Sequence, residues 1–598
     1  LALSTKIDAR RIEALVNGPH SHPHASQFVG TIVGESTSQE FRIAVTHETI
    51  REQEIIAVDA TLNDESFRAP QRIRIWAKVQ RIERVNPLFP IEAGHELAAT
   101  RTNPFDTVLS LSRELVTAVC AVLGAEASEN GGNGKLDHVR YPPQPASTVF
   151  KPTSSDISRI VLGSLNDRRH RSLDIATLAN RQDVDVLVDG HAVVTRHLAI
   201  LAMTGAGKSW TARRIIEELA EKNYPIVIFD PHGDYSGLAD VPGLGQRVRR
   251  FYAWFPIFEQ DSETVMTVVE SLGRPLAMTH RDHFGSLFKA ARTFLTVPPA
   301  DLRTRARWLA DFLGRPSIAE WGLKPDLWSF AAVVEAIIRA SQSENLEALA
   351  EIGDWTGQAE LRLSRQEARF LATLPGNLRS AAKRLGQMEA ISRKTSGAAE
   401  PMPLDLKQLV QYGQISVVSL SGYHSDFQAT LYGLIAESIF NARVANELHY
   451  PTLLLLEEAH NFAPARAQTP AEDFAVNTTR QIAQEGRKFG VGLVLISQRP
   501  SRVDETTLSQ CNSYVIMRLA NPADQSYIRR VIETLGENEA HLLPDLDVGE
   551  ALLSGQFVNF PVLVKMKPPR SQGEREEVDA FDALAKARSS DRAQTLTR

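Results

Sequence analysis

LAILAMTGAGKSWTARRIIEELAEKNYPIVIFDPHGDY, residues 198–235, holds six apolar residues, a glycine turn, a run with apolar positions at helical spacing and a second apolar run. That order predicts strand, tight turn, helix and strand, the opening βαβ unit of a parallel sheet. In a phosphate-binding loop the glycines let successive backbone N–H groups point into one concavity. The lysine then reaches the β and γ phosphates and the next hydroxyl holds magnesium. Thr204, Gly205, Ala206, Gly207, Lys208, Ser209 and Trp210 form the predicted ATP-binding run, with Ser209 as a Mg2+ ligand. Ala202 stands where the usual pattern has its first glycine, at the strand exit and farthest from the lysine. A methyl group is tolerated there if the backbone dihedrals are ordinary, so a slightly tightened but working loop is expected. The phosphates would sit on a helix N-terminus.

A second element answers the first. LLLLEEAH places Glu457 and Glu458 at the end of a buried strand, where two adjacent acids repel unless a cation lies between them. In P-loop enzymes the first acid positions magnesium, usually through water, and the second polarises the attacking water. Glu457 is therefore the predicted second Mg2+ ligand and Glu458 the general base. Asp230, ending VIFD, emerges at the same carboxyl edge, where open α/β sheets bind ligands. It is read either as ordering the nucleotide site or coupling it to a neighbour, or as a helix cap. Gln498, in SQRP, is placed to hydrogen-bond the γ-phosphate or the attacking water, as a sensor. TTRQIAQEGRKFGVG offers Arg480 and Arg487 seven residues apart, on nearly one helix face.

Outward from this core, QFVGTIVGESTSQEFRIAV and RIRIWAKVQRIERV alternate as strands and predict a small β-barrel or sandwich. EASENGGNGKLDHVRYPPQPAS lacks apolar periodicity and reads as a linker. Four segments at helical spacing, SETVMTVVESL, HFGSLFKAARTFL, LWSFAAVVEAIIRA and NLRSAAKRLGQMEAI, form a helical insertion. The apolar runs QISVVSL, PTLLLLEE, GVGLVLIS and NSYVIMRL then return. Alternating with helices, they require a parallel sheet covered on both faces. GEALLSGQFVNFPVLVKM reads as a hairpin turning at Ser554 and Gly555, and the polar end as a frayed tail.

The 598 residues, 43% hydrophobic, are enough for several domains. No apolar run spans a bilayer and the start lacks the pattern of a signal peptide, so a cytoplasmic protein without membrane contact is expected. Two cysteines allow neither a disulfide framework nor a cysteine metal site. His20, His22 and His24 have no carboxylate or cysteine nearby and read as loop composition. A net charge of −6 excludes a surface that coats nucleic acid, while leaving room for a basic channel inside an assembly.

The order RHLAILAMTGAGKS, VIFDPHGDY, LLLLEEAHNFAP, QEGRKFGVGLVLISQRPSRVDETTLSQCN resembles the HerA ATPases of the HerA and FtsK superfamily. The resemblance implies an α/β, RecA-like P-loop core with an N-terminal β-barrel and a helical insertion. On that pattern residues 1–26 are an arm, 27–125 the barrel and 126–150 the linker. Residues 151–254 and 403–567 are the two parts of the ATPase core, 255–402 the insertion and 568–598 the tail. It further implies a homo-hexamer, ATP hydrolysis at subunit interfaces, double-stranded DNA in the pore and a nuclease or other effector docked on the barrel face. DNA end processing and antiphage defence are both settings it suggests. Arg487 matches the family's finger motif, with Arg480 next, and Arg196 matches another family arginine near the nucleotide. Ala202 and Glu457 depart from the family's glycine and aspartate, which bears on rate. An ATP-gated ring scaffold that activates an effector without translocating is the alternative reading.

Overall fold

The computed structural model describes residues 27–45, 50–62, 71–85, 95, 115–127, 134–252, 257–273, 275–357, 363–395, 399–403, 405–571, 581 and 584. Contacts divide the chain into two units, one running to Asp189 and including Leu552–Met566, the other spanning Gly190–Ala551 and the residues from Lys567 onward.

In the first unit the barrel strands are β1 (Phe28–Ser36), β2 (Glu40–Val45), β3 (Ile55–Leu62), β4 (Gln71–Val85), β5 (Leu115–Ala127) and β6 (Thr148–Phe150). They close in the order β1-β2-β5-β4-β3-β6. Alternation turns Ile32, Phe41, Ile43, Val58 and Ile75 inward to a common core. Closure depends on β6, which pairs with both β1 and β3 although its three residues lie in the stretch read as linker. A run that short carries no alternation to recognise. Beyond it come the helix Ser154–Leu162, β7 (Ser172–Leu178) and β8 (Asp185–Asp189), which group with the barrel rather than with the ATPase core. Buried Glu126 on β5 joins barrel to helix, accepting from Trp76 Nε1 at 3.1 Å and from both Arg159 Nη atoms at 2.6 and 2.8 Å. The hairpin turn lies after Ser554 and Gly555. β17 (Glu550–Gly555) runs through both residues before β18 (Val562–Met566) begins.

The second unit is built on eight parallel strands: β9 (Leu198–Leu201), β10 (Ile226–Asp230), β11 (Val248–Tyr252), β12 (Glu400–Pro401), β13 (Ile415–Ser419), β14 (Thr452–Leu456), β15 (Val491–Ser497) and β16 (Ser513–Met517). Their order is β12-β11-β13-β10-β14-β15-β9-β16. β11 and β12 extend the sheet beyond the strands expected from sequence; VRRFY is too mixed in polarity to stand out. Between them the chain forms helices from Ser262 to Thr395, four of them (Pro299–Leu313, Pro316–Trp321, Leu346–Thr356 and Arg365–Phe370) outside the segments singled out above. Among the described residues no helix is long and apolar enough to cross a membrane.

Two packing features set the site. The helix Lys208–Glu221 carries Glu217, which is fully buried because Arg570 and Ser571 cover it. Their backbone N–H groups donate to its carboxylate at 2.8 Å each and the Ser571 hydroxyl at 2.6 Å. The start of the polar end is therefore docked where fraying was expected. The second feature is His197, directly before β9. Its Nδ1 accepts from the N–H of Leu493 on β15 and its Nε2 donates to the carbonyl of Ala483, both at 3.0 Å. Only the neutral ring can do both, and it ties the base of the loop strand to the helix Pro470–Phe489.

Burial lowers the His197 pKa from 6.5 to about 4. The unfolded chain then binds the proton more readily, so this contribution is whole above pH 6.5 and is lost as pH falls towards 4. It amounts to roughly 3 kcal/mol. Thermal unfolding of the wild type should therefore lose ground to His197→Gln between pH 7 and pH 4. A difference between the two proteins that stays flat across that window contradicts the assignment.

Candidate nucleotide site

All eight strands point their carboxyl ends to one edge, and β15 lies between the loop strand β9 and the acid-bearing strand β14. Lys208 and the two glutamates thus start two strands apart, roughly 10 Å, and the lysine side chain spans the gap. Ala202 is fully buried and outside the positive-φ residues, and its N–H donates to the Ser497 carbonyl at 3.2 Å. Gly205 and Gly207 do adopt left-handed backbone, φ 80° and 106°, and a side chain at Gly207 would press on Met517. The turn therefore needs glycine at those two positions and tolerates alanine at 202.

The Lys208 ammonium donates to Glu457 Oε1 and, at 2.9 Å, to Glu458 Oε1. Burial would lower the lysine pKa, but the two carboxylates outweigh it and raise it. Glu457 is wholly buried; burial drives its carboxyl up, and Lys208 offsets only part of that. Its other oxygen accepts from the Tyr235 hydroxyl at 2.5 Å. Glu458 sits in left-handed backbone, φ 52° and ψ 55°. Burial raises its pKa too, yet Lys208 more than compensates and holds it below the ordinary carboxylate value. Gln498 donates to Glu458 Oε1 at 2.5 Å and accepts from the Thr204 hydroxyl. Among the described residues Glu458 Oε2 is buried with no hydrogen-bond donor and lies 3.4 Å from the His460 ring.

The loop, Lys208, Glu457, Glu458, Gln498 and Thr204 therefore form one network, with Ser209 at the start of the same helix. Trp210 is 58% exposed beside it. Asp230 caps no helix and serves its own turn: fully enclosed, it accepts from the N–H groups of His232, Gly233, Asp234 and Tyr235. By doing so it brings Tyr235 to Glu457. Sequence reading missed Tyr235, whose partner Glu457 depends on strand order, and His460, which stands two residues after Glu458 inside the motif it quoted.

The arginines lie elsewhere. Arg480 is held by Asp504 in a two-point pair at 3.1 and 2.7 Å. Arg487 is exposed in the last turn before β15, and Arg196 comes two residues before β9. Both therefore occupy the amino edge of the sheet, opposite this chain's own loop. His20, His22 and His24 lie outside the described residues. Among the described residues no cluster of three histidine, cysteine or acidic side chains could hold a metal by itself.

The left-handed glycine loop with open space at Gly205 and the unpartnered Glu458 oxygen fit a nucleotide with magnesium. Gly205–Ser209 would hold the phosphates, and Ser209 and Glu457 the ion, which supplies charge neutralisation at the phosphoryl oxygens.

Residues 173–439 match the family model described as the central domain of the helicase HerA. A probable DNA double-strand break repair helicase HerA of Methanocaldococcus jannaschii is 29% identical over 432 residues, 66% of this chain and 76% of that one. The DNA double-strand break repair helicase HerA of Pyrococcus furiosus is 26% identical over 588 residues, 90% and 92% of the two chains. Among solved structures, VirB4 of Thermoanaerobacter pseudethanolicus is similar at 16% identity and a TM-score of 0.40, covering 66% of this chain and 96% of that one. The plasmid coupling protein TrwB with a non-hydrolysable ATP analogue is similar at 15% and 0.38, covering 67% and 91%.

Tyr235→Phe should leave the buried Glu457 one donor short, costing about 1–3 kcal/mol in unfolding. It should also raise the Mg2+ concentration for half-maximal hydrolysis several-fold. Unchanged stability and metal dependence would mean that the hydroxyl does not position Glu457.

Proposed function

We propose that this chain, which belongs to the HerA-type ATPases of the HerA and FtsK superfamily and is an ATP-hydrolysing P-loop enzyme, acts as a ring of six copies that moves along double-stranded DNA. The observation that carries the ring is the division of the site. Loop, lysine, acids and sensor share the carboxyl edge, whereas Arg196 and Arg487 lie at the amino edge. An arginine so placed can meet only the nucleotide of another copy. Closed rings made by such head-to-tail contacts are the usual solution. The DNA reading is supported by relatives whose names state repair of double-strand breaks. A nuclease or other effector docked on the barrel face, in end processing or antiphage defence, completes the proposal.

In the chemical step Glu458, ionised and with Oε2 unpartnered, takes the proton of the attacking water. Gln498 holds the other oxygen and, through Thr204, links it to the loop that grips the phosphates. Glutamine is neutral, so it can follow the γ-phosphate without adding charge. Arg487 of the neighbouring copy would stabilise the charge that builds on the transferred phosphoryl group.

Lys208→Ala should lose ATP binding and hydrolysis together. Glu458→Gln should keep binding and slow turnover roughly a hundredfold or more. Calorimetry with single-turnover kinetics separates them, and equal loss of binding in both removes Glu458 as the base. Duplex DNA should stimulate the wild type with a steep decline in salt, since phosphates supply the contacts. No stimulation and no duplex binding at any salt would remove the translocase and leave an ATPase with another client.

A further inference from the structure

The helix Pro299–Leu313 uses its arginines in two ways. Arg305 serves the fold: its Nη1 donates to the carbonyls of Thr293 and Phe294 at 3.2 and 2.7 Å, and its guanidinium lies over the rings of Phe294 and Trp355. Arg315, just beyond, pairs with Glu335 at 2.8 Å. Arg303 and Arg307 do neither. They are exposed, one helical turn apart on one face, and make no ion pair or hydrogen bond among the described residues. Both line a cavity of about 370 Å³ together with Trp321, the buried Ala306 and Leu323, and Glu320. Trp321 is 80% exposed, an unusual position for an indole, and has no aromatic partner among the described residues.

The geometry points to a second ligand site here, one that takes a nucleotide unit with an unpaired base. An indole face stacks on any base, and two guanidinium groups beside it hold the flanking phosphates. A duplex offers the phosphates but keeps its base faces stacked inside. An amphipathic peptide helix needs several anchors along a groove, whereas this cavity presents one ring. Net charge also favours an anion, since two free cations face the single carboxylate of Glu320. The shared chemistry has two sources, a single strand or a free nucleotide. The site rests on the DNA reading only for where such a strand would come from.

Anisotropy of a labelled oligothymidylate on the full-length protein, without ATP, tests it. Trp321→Ala should weaken binding at least fivefold, and Trp321→Phe should restore most of it. Arg303→Gln with Arg307→Gln should lower the salt slope by about 1.4, two single-strand phosphate contacts. ATPase without DNA should be unchanged in all of these. A mononucleotide competing as well as the oligomer would assign the free nucleotide, and a much weaker one the strand. Wild-type affinity and salt slope in the variants overturns the site, as does a shift in oligomeric state on Trp321→Ala with unaltered oligomer affinity, which makes the patch a contact between copies. Duplex-stimulated ATPase, followed in parallel, fails independently if the motor reading is wrong.

Discussion

The buried ammonium of Lys208 between two glutamates is the interaction on which the rest depends. Glu457 and Glu458 are neighbours on one strand end, almost without solvent, and could not both stand there unless a cation lay between them. The lysine reaches them only because β15 places loop and acids two strands apart, and β15 in turn delivers Gln498 into the gap. Removing one member of such a buried group typically costs about 3–5 kcal/mol. The same contact makes stability and chemistry hard to separate at Lys208, so its variants need a folding measurement beside the kinetic one. A nucleotide must compete with two carboxylates for this ammonium, which links phosphate binding to the freedom of the acids.

What was legible in the sequence was what is local. The glycine turn, the apolar runs of β9, β10 and β13–β16 and the paired acids each carry their own signal within a few residues. Ala202 is instructive, since a position that usually takes glycine has ordinary dihedrals here and needs none. Contacts set by strand order were not legible. His197 meets Ala483 and Leu493, Tyr235 meets Glu457 and Thr204 meets Gln498, all across more than two hundred residues. The closing strand β6 and the docking of Arg570 and Ser571 on Glu217 escaped for another reason. Each is too short to hold a periodicity, and each is stabilised by a partner far away in the chain.

On the proposed reading, the two edges of the sheet would leave one chain with half of a hydrolytic site. Every group that binds or polarises lies at the carboxyl edge. The groups able to meet charge developing on a transferred phosphoryl lie at the other, except Arg480, which Asp504 already neutralises. His197 ties strand and helix together at the amino edge. It hydrogen-bonds one turn before Arg487 in the same helix and directly precedes the strand that ends in the loop. The amino edge is therefore held against the chain's own loop strand.

Subunit mixing tests the half-site most directly. A Lys208→Ala copy has a dead loop and an intact Arg487, and an Arg487→Ala copy the reverse, so each alone should be inactive while retaining assembly. Co-assembled rings should regain ATPase wherever the first donates its arginine to the second, with activity peaking at intermediate mixing ratios. Subunits that demonstrably exchange and yield no activity at any ratio, or an Arg487→Ala protein that turns over at the wild-type rate, would contradict the account.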